Sequence, residues 1–104
     1  MPVPAPLDID RSIRRAIKQR RLIQITYNAR VRVAEPHDYG FINGEPKLLV
    51  FQRREEAALR PPGWRLLTVG NITTLIVLRD EFDGGRPMGL KHKFKWSPLI
   101  CRVS

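Results

Sequence analysis

Residues 29–52 read ARVRVAEPHDYGFINGEPKLLVFQ, and the prediction of the fold rests mainly on them. It opens with strict alternation of arginine and valine, which is the period of a strand with two different faces. A second apolar run follows at 48–51, and Asn43-Gly44 lies between the two runs. Asn-Gly favours a type I′ turn, because both central residues of that turn need positive φ. The stretch therefore predicts a β-hairpin, with Pro36 marking a bulge, a bend or an edge position.

The rest of the chain supplies one helix and three more strands. Apolar residues recur at helical spacing from Ile9 to Ile17, with basic residues between them, and predict an amphipathic helix ending near Arg21. Asp8 or Asp10 is its predicted N-cap. Five short strands and one covering helix make a mainly β fold, a small five-stranded and strongly bent sheet or barrel. The further strands are predicted at 22–28, 64–69 and 72–79.

The predicted barrel domain with its helix spans residues 8–83. Residues 1–7 contain three prolines and predict a flexible lead-in. Residues 84–104 form a tail with a basic and aromatic patch at 91–96. The sequence leaves three outcomes open for this tail: it frays, it docks on the barrel, or it adds an edge strand near residues 99–103.

The charge is the most informative part of the composition. A chain of 104 residues is enough for one domain, and 42% hydrophobic content fits a folded one. Nineteen Lys and Arg stand against ten Asp and Glu, which leaves a net charge of +9. Such an excess favours contact with polyanions such as nucleic acid. It is equally compatible with a basic protein that binds no polyanion in particular.

Several classes of protein are disfavoured by the sequence. No apolar run approaches the roughly 20 residues of a membrane helix, and the N-terminus lacks the pattern of a signal peptide, so we predict a cytoplasmic location without a membrane partner. Cys101 is the single cysteine, and neither His37 nor His92 shows metal-ligand spacing. We therefore predict no metal and no cofactor. No paired nucleophile and no phosphate loop is evident, so a non-enzymatic role is predicted.

Five motifs follow the predicted helix: I-x-I-x-Y from Ile23, R-V-x-E-P-H-x-Y-G from Arg32, N-G-x-x-x-L-L from Asn43, W-R-L from Trp64 and E-F-x-G-x-R-P from Glu81. Together with the helix they resemble the WYL domain family, and within it a short stand-alone branch with the E-P-H-x-Y-G signature. The resemblance covers about residues 9–87, and the E-P-H-x-Y-G segment is its most specific part. The triplet that names the family falls at residues 46–48, where only the leucine is kept.

The resemblance implies an Sm/SH3-like barrel with an N-terminal helix, of a kind found mainly in bacterial proteins. WYL domains are regarded as ligand-sensing modules, often attached to helix-turn-helix regulators of transcription. Their ligands are thought to be negatively charged, with nucleic acids or nucleotides as the usual candidates. This sequence contains no helix-turn-helix pattern, so a complete one-chain transcription factor is not expected.

The predicted ligand-binding residues are concentrated in the hairpin. Arg32 should project from the face opposite its valine neighbours and bind a phosphate or carboxylate, or instead form a salt bridge to Glu35. His37 can donate, accept or gain charge near neutral pH, in a pocket or against the backbone. Tyr39 could stack on bases, or pack in the core or at an edge.

Two strand positions complete the predicted site. Gln52 ends the third strand beside Arg53 and could contact a polar ligand. Arg65 would join the same basic face if the fourth strand packs alongside, whereas Trp64 is interpreted as a barrel plug or a stacking platform. The full predicted set is Arg32, His37, Tyr39, Gln52, Arg53 and Arg65.

Three functions compete at this point. The leading prediction is a non-enzymatic sensing module with a regulatory role that binds an anionic ligand, such as single-stranded nucleic acid or a nucleotide. The alternative is a protein–protein interaction or self-association module that uses residues 48–51 as an exposed barrel edge. A nuclease with Glu35 and Asp38 as its carboxylates is the third.

Overall fold

The hairpin around Asn43-Gly44 forms the centre of the sheet in the computed structural model, which describes residues 5–55, 60–86 and 94–104. Both turn residues have positive φ, 52° and 77°, as a type I′ turn requires. The elements are, in chain order, α1 (Leu7–Gln19), β1 (Arg21–Tyr27), β2 (Arg30–Ile42), β3 (Glu45–Glu55), β4 (Gly63–Thr68), a 3-10 turn (Val69–Asn71), β5 (Ile72–Glu81) and β6 (Leu99–Arg102).

One antiparallel sheet contains the six strands, and the prediction of a mainly β fold with one N-terminal helix is confirmed. The strand order is β4-β3-β2-β1-β5. β2 is long enough to have two partners on one edge: β1 pairs with its first half, 30–34, and β6 pairs with residues 38–40. Of the outcomes left open for the C-terminal tail, the added strand is the one observed.

The sheet is not closed into the predicted five-stranded barrel. In the described part of the chain, β4 and β5 follow each other through the 3-10 turn but do not pair. β6 pairs with β2, on the edge where β1 pairs with residues 30–34. It therefore does not connect β4 with β5. The edge predicted at residues 48–51 is wrong, because β3 pairs with β2 on one side and with β4 on the other.

The helix covers one face of the sheet with Ile13, Ala16 and Ile17, which are all buried. It ends where Arg20 turns into the left-handed region with φ of 55°. The predicted aspartate cap is wrong: Pro6 is at the N-cap and provides no side-chain hydrogen bond. Asp10 lies in the first turn, where the positive end of the helix favours its charge.

Two bulges in the central hairpin shape the candidate site. Pro36 pairs with Val50 and Asp38 with Leu49, so His37 is an extra residue in β2. This confirms the irregularity predicted at the proline. On the facing strand Arg53 is the extra residue, between partners of Val33 and Ala34. A bulge redirects the side chains beside it. Here one bulge lies on each strand of the hairpin, and both are close to Glu35.

Some predictions fall on residues that are not described. Residues 1–4 of the lead-in and the basic stretch 91–93 lie outside the described residues. The helix begins at Leu7, inside the segment predicted as lead-in. No helix in the described ranges is both long and apolar enough to cross a membrane.

Candidate functional site

Glu35 is the centre of a buried ion cluster, with 1% of its surface exposed. Arg86 donates from Nε to Oε1 and from Nη2 to Oε2, both at 2.7 Å. Arg53 Nε donates to Oε2 at 2.9 Å, and His37 Nε2 lies 3.1 Å from Oε1. The carboxylate thus accepts four hydrogen bonds from three side chains, and such charge-assisted bonds are stronger than neutral ones.

The two bulges explain why these groups meet. Glu35 is in β2, and the extra residue His37 two positions later turns back to the same carboxylate. Arg53 reaches it from β3, where it is the extra residue. Arg54 then faces Val33, which lies two positions from Glu35 on the same strand face. Two consecutive arginines therefore lie on one face of the sheet.

Aromatic rings surround the cluster. Phe51 is the cross-strand neighbour of Glu35, and Trp64 is the neighbour of Phe51 on β4. The Arg86 guanidinium carbon lies 3.7 Å from the centre of the Phe51 ring, within cation–π distance. The Trp64 ring meets those of His37 and Phe51 edge-on, at centroid distances of 4.7 and 5.4 Å. Both Phe51 and Trp64 are half-buried.

The electrostatics of the cluster leave a positive surface. Burial raises the pKa of Glu35, but the hydrogen bonds from Arg86, His37 and Arg53 outweigh burial and hold that pKa at about 2. Burial lowers the pKa of His37, and its bond to Glu35 opposes this effect only in part. One carboxylate therefore faces two guanidinium groups, whose side chains are 40% exposed at Arg53 and 39% exposed at Arg86.

Other carboxylates are also used internally. Asp38 is buried and accepts two hydrogen bonds from Arg102, at 3.0 and 3.1 Å. Glu55 is buried and accepts from Arg30 at 3.2 Å. Each of these buried carboxylates therefore pairs with a partly exposed arginine and fixes the position of its guanidinium group.

We use the name basic-aromatic face for Phe51, Arg53, Arg54, Trp64 and Arg86. Arg54 is exposed and lines a depression of about 120 Å³, whose other lining residues are Gln24, Val31, Val33 and Glu55. The face thus combines three guanidinium groups with two half-buried aromatic rings. This is a combination suited to phosphates and unpaired bases.

Comparisons with known proteins were made at three levels. No protein-family model, no curated protein and no solved structure matches this chain.

The predicted site residues divide into three groups. His37 and Arg53 meet at Glu35, as described above. Arg32 and Gln52 meet elsewhere: Arg32 is 6% exposed and donates from Nη1 to Gln52 Oε1 at 3.1 Å. Its guanidinium lies 5.1 Å from the centre of the Tyr27 ring, and burial lowers its pKa. The alternative salt bridge from Arg32 to Glu35 is not formed.

The remaining two predicted residues hold other parts of the fold. Tyr39 is buried, and its hydroxyl donates to Asp10 Oδ1 at 2.7 Å, which ties β2 to the helix. Arg65 donates to the backbone oxygens of Trp64 and Pro61, at 2.9 and 2.7 Å. It therefore fixes the start of β4.

Phe51, Arg54 and Arg86 belong to the basic-aromatic face but not to the predicted set of binding residues. Arg86 is 51 positions from Glu35, and no local pattern indicates that the two side chains meet. The signal that could have pointed to Arg86 is its place in the E-F-x-G-x-R-P motif, which follows a predicted strand. Phe51 was assigned to an apolar edge, although its neighbour across β2 is the buried carboxylate.

His37 should make the stability of the fold depend on pH near neutrality. Its ring bonds Glu35 through Nε2, and buried Nδ1 has no hydrogen-bond partner among the described residues. A proton added at Nδ1 would thus be buried without an acceptor, in line with the lowered pKa. As pH falls from 7.5 to 5, the unfolded chain takes up this proton first, so the free energy of unfolding should fall.

The measurement is chemical unfolding between pH 7.5 and 5 for the native chain and His37→Gln. We expect the variant to show a flatter pH dependence over this window, because the remaining histidine is common to both proteins. An equal slope in the two proteins would contradict the assignment to His37.

Proposed function

We propose that this chain is a non-enzymatic binding module of the WYL type, in which the basic-aromatic face binds single-stranded nucleic acid. The observation that carries the proposal is the fixed placement of Arg53 and Arg86, whose side chains are partly exposed, close to Phe51 and Trp64. Buried Glu35 orients both guanidinium groups from below. Groups held in place before binding lose less side-chain entropy when a ligand arrives.

Single strands suit this face better than duplexes. Bases of a single strand are free to stack on aromatic rings or on the planes of guanidinium groups. The Arg86 guanidinium carbon lies over the Phe51 ring, 3.7 Å from its centre. On that face of the ring a base would therefore stack on the guanidinium plane. In a duplex the bases are stacked on each other, so their faces are not free to stack on these side chains. The geometry therefore favours contacts that combine phosphates with unpaired bases.

The WYL resemblance supports the same reading. Its most specific segment, E-P-H-x-Y-G, includes the Glu35 and His37 that hold the face in place. In a small barrel of this type the strands would pair in the same order, β5-β1-β2-β3-β4. A closed barrel would need one further pairing, between β4 and β5. In a regulatory protein, occupation of this face by nucleic acid would be the sensed signal.

The test is a fluorescence anisotropy titration with a short single-stranded DNA, repeated with RNA and with the matching DNA duplex. We expect saturable binding that is tighter for single strands. Three phosphate contacts predict a slope of log K against log salt of about −2 for a single strand. Affinity should then fall by roughly tenfold or more between 50 and 200 mM salt. Binding that is not saturable, or does not depend on salt, would contradict the proposal.

A further inference from the structure

A second basic cavity lies between the helix and the last strand, and no residue of the basic-aromatic face lines it. Its volume is about 360 Å³. α1 contributes two cationic residues and an apolar wall, and β6 contributes a third cation from the far end of the chain. The lining residues are Arg14, Ile17, Lys18, Cys101, Arg102 and Ser104.

Two of the three cations are held in position by carboxylates. Arg14 Nε donates to Asp10 Oδ2 at 3.0 Å, and the same Asp10 accepts from Tyr39. Arg102 donates from Nε and Nη2 to the buried Asp38. A guanidinium has five N–H donors, so both arginines keep donors for a ligand after these bonds are made.

Lys18 provides the third charge. It is exposed on the last turn of the helix and has no hydrogen bond or ion pair within the described ranges. Three cationic side chains therefore line the cavity, and the two arginines among them are paired with side-chain carboxylates. The Cys101 thiol adds no negative charge at neutral pH, because burial raises its pKa.

We infer that this cavity binds a phosphate monoester, with Lys18 and the free N–H groups of Arg14 and Arg102 as donors. A phosphate monoester carries nearly two negative charges at neutral pH and three strong acceptor oxygens. These acceptor oxygens match the cations that α1 and β6 place around the cavity. Planar guanidinium groups can also bind phosphate through two parallel hydrogen bonds. Ile17 gives an apolar wall against which the organic part of the ester can pack.

The phosphate could belong to a free nucleotide or to the end of a nucleic acid strand. Calorimetric titration with inorganic phosphate, adenosine 5′-monophosphate and adenosine tests the chemistry. We expect the two phosphate compounds to bind and adenosine not to bind. A 5′-phosphorylated oligonucleotide compared with its 5′-hydroxyl form separates the sources: equal affinities assign the cavity to free phosphate esters, and tighter binding of the phosphorylated form assigns it to strand ends.

Lys18→Met is the decisive variant, with Arg11→Met as its matched control. Arg11 lies on the same helix, is exposed and does not line the cavity, so both changes remove one positive charge. We expect Lys18→Met to weaken adenosine 5′-monophosphate binding about tenfold and Arg11→Met to change it less than about twofold. Equal effects of the two variants, or equal binding of adenosine and its monophosphate, would overturn the inference.

This inference is separable from the proposed function. Lys18→Met should leave the affinity for a 5′-hydroxyl single strand unchanged, because that ligand occupies the basic-aromatic face. Loss of nucleotide binding without loss of strand binding would therefore concern the cavity alone.

Discussion

Glu35→Gln is expected to lower the free energy of unfolding by roughly 3 kcal/mol at neutral pH. The pKa of Glu35 is about 2, against an ordinary value of 4.5, and this difference corresponds to roughly 3 kcal/mol in favour of the charged, folded form. Glutamine keeps the size of the side chain but removes the charge that Arg53 and Arg86 need. Since both arginines are partly exposed, water will replace some of the lost stabilisation.

Chemical unfolding at pH 7 measures this effect, and Glu45→Gln is the control. Glu45 forms a surface ion pair with Lys47, and its side chain is 55% exposed. Exposed pairs contribute about 0–1 kcal/mol, so the control should change stability little. The stabilisation from Glu35 is present above pH 4.5 and is lost as pH falls towards 2, because its folded pKa is depressed. A loss of less than about 1 kcal/mol for Glu35→Gln would contradict a structural role for the cluster.

Gly40→Ala is expected to displace β6 from the sheet and to cost about 2 kcal/mol or more of stability. A methyl group at Gly40 would lie 2.9 Å from Leu99 Cα and 2.9 Å from Trp96 Cε3, and closer still to the backbone oxygen of Pro98. Backbone atoms of this kind cannot move aside cheaply. Phe41 N–H bonds that same Pro98 oxygen at 2.9 Å, so the clash falls on the contact that joins the two strands.

Gly70→Ala provides the matched control for this variant. A methyl group at Gly70 has no atom within 4 Å, so the same substitution should change stability by less than about 1 kcal/mol. Hydrogen exchange of the amide of Val103, which bonds the oxygen of His37, reports on the docking of the last segment. We expect faster exchange in Gly40→Ala. Unchanged exchange and stability would show that β6 does not need the close approach at Gly40.

Local patterns were sufficient to predict the elements of the fold. The alternation in β1 and β2, the Asn43-Gly44 turn and the helical spacing of Ile13, Ala16 and Ile17 each depend on residues close in sequence. Closure of the sheet would require β4 to pair with β5, and no local pattern indicates that these two consecutive strands stay unpaired. No local pattern indicates the pairing of β6 either, because its partner residues on β2 lie about sixty positions earlier.

The candidate site was predicted less well for a related reason. Alternation in β2 predicts that Arg32 projects from the face opposite its valine neighbours, because one face of such a strand is usually exposed. For Tyr39 the sequence leaves base stacking and packing in the core or at an edge open. Here residues 32–40 of β2 are all buried, so polar side chains on both faces become internal partners. The face that remains exposed depends on bulges at His37 and Arg53. Pro36 predicts an irregularity near the first of them, but no pattern in the sequence indicates the second.

The most direct test of the central claim compares two arginine variants in the single-strand titration. Arg54 and Arg79 are both exposed and lie on strands β3 and β5, which β2 and β1 separate in the sheet. Neither has a side-chain hydrogen bond or ion pair among the residues described. Replacing either with methionine therefore removes one positive charge without breaking such a contact. We predict that Arg54→Met weakens strand binding about tenfold and reduces the salt slope by about 0.7, whereas Arg79→Met changes affinity less than about twofold. Equal losses in the two variants would contradict the account, because binding would then follow net charge and not the basic-aromatic face.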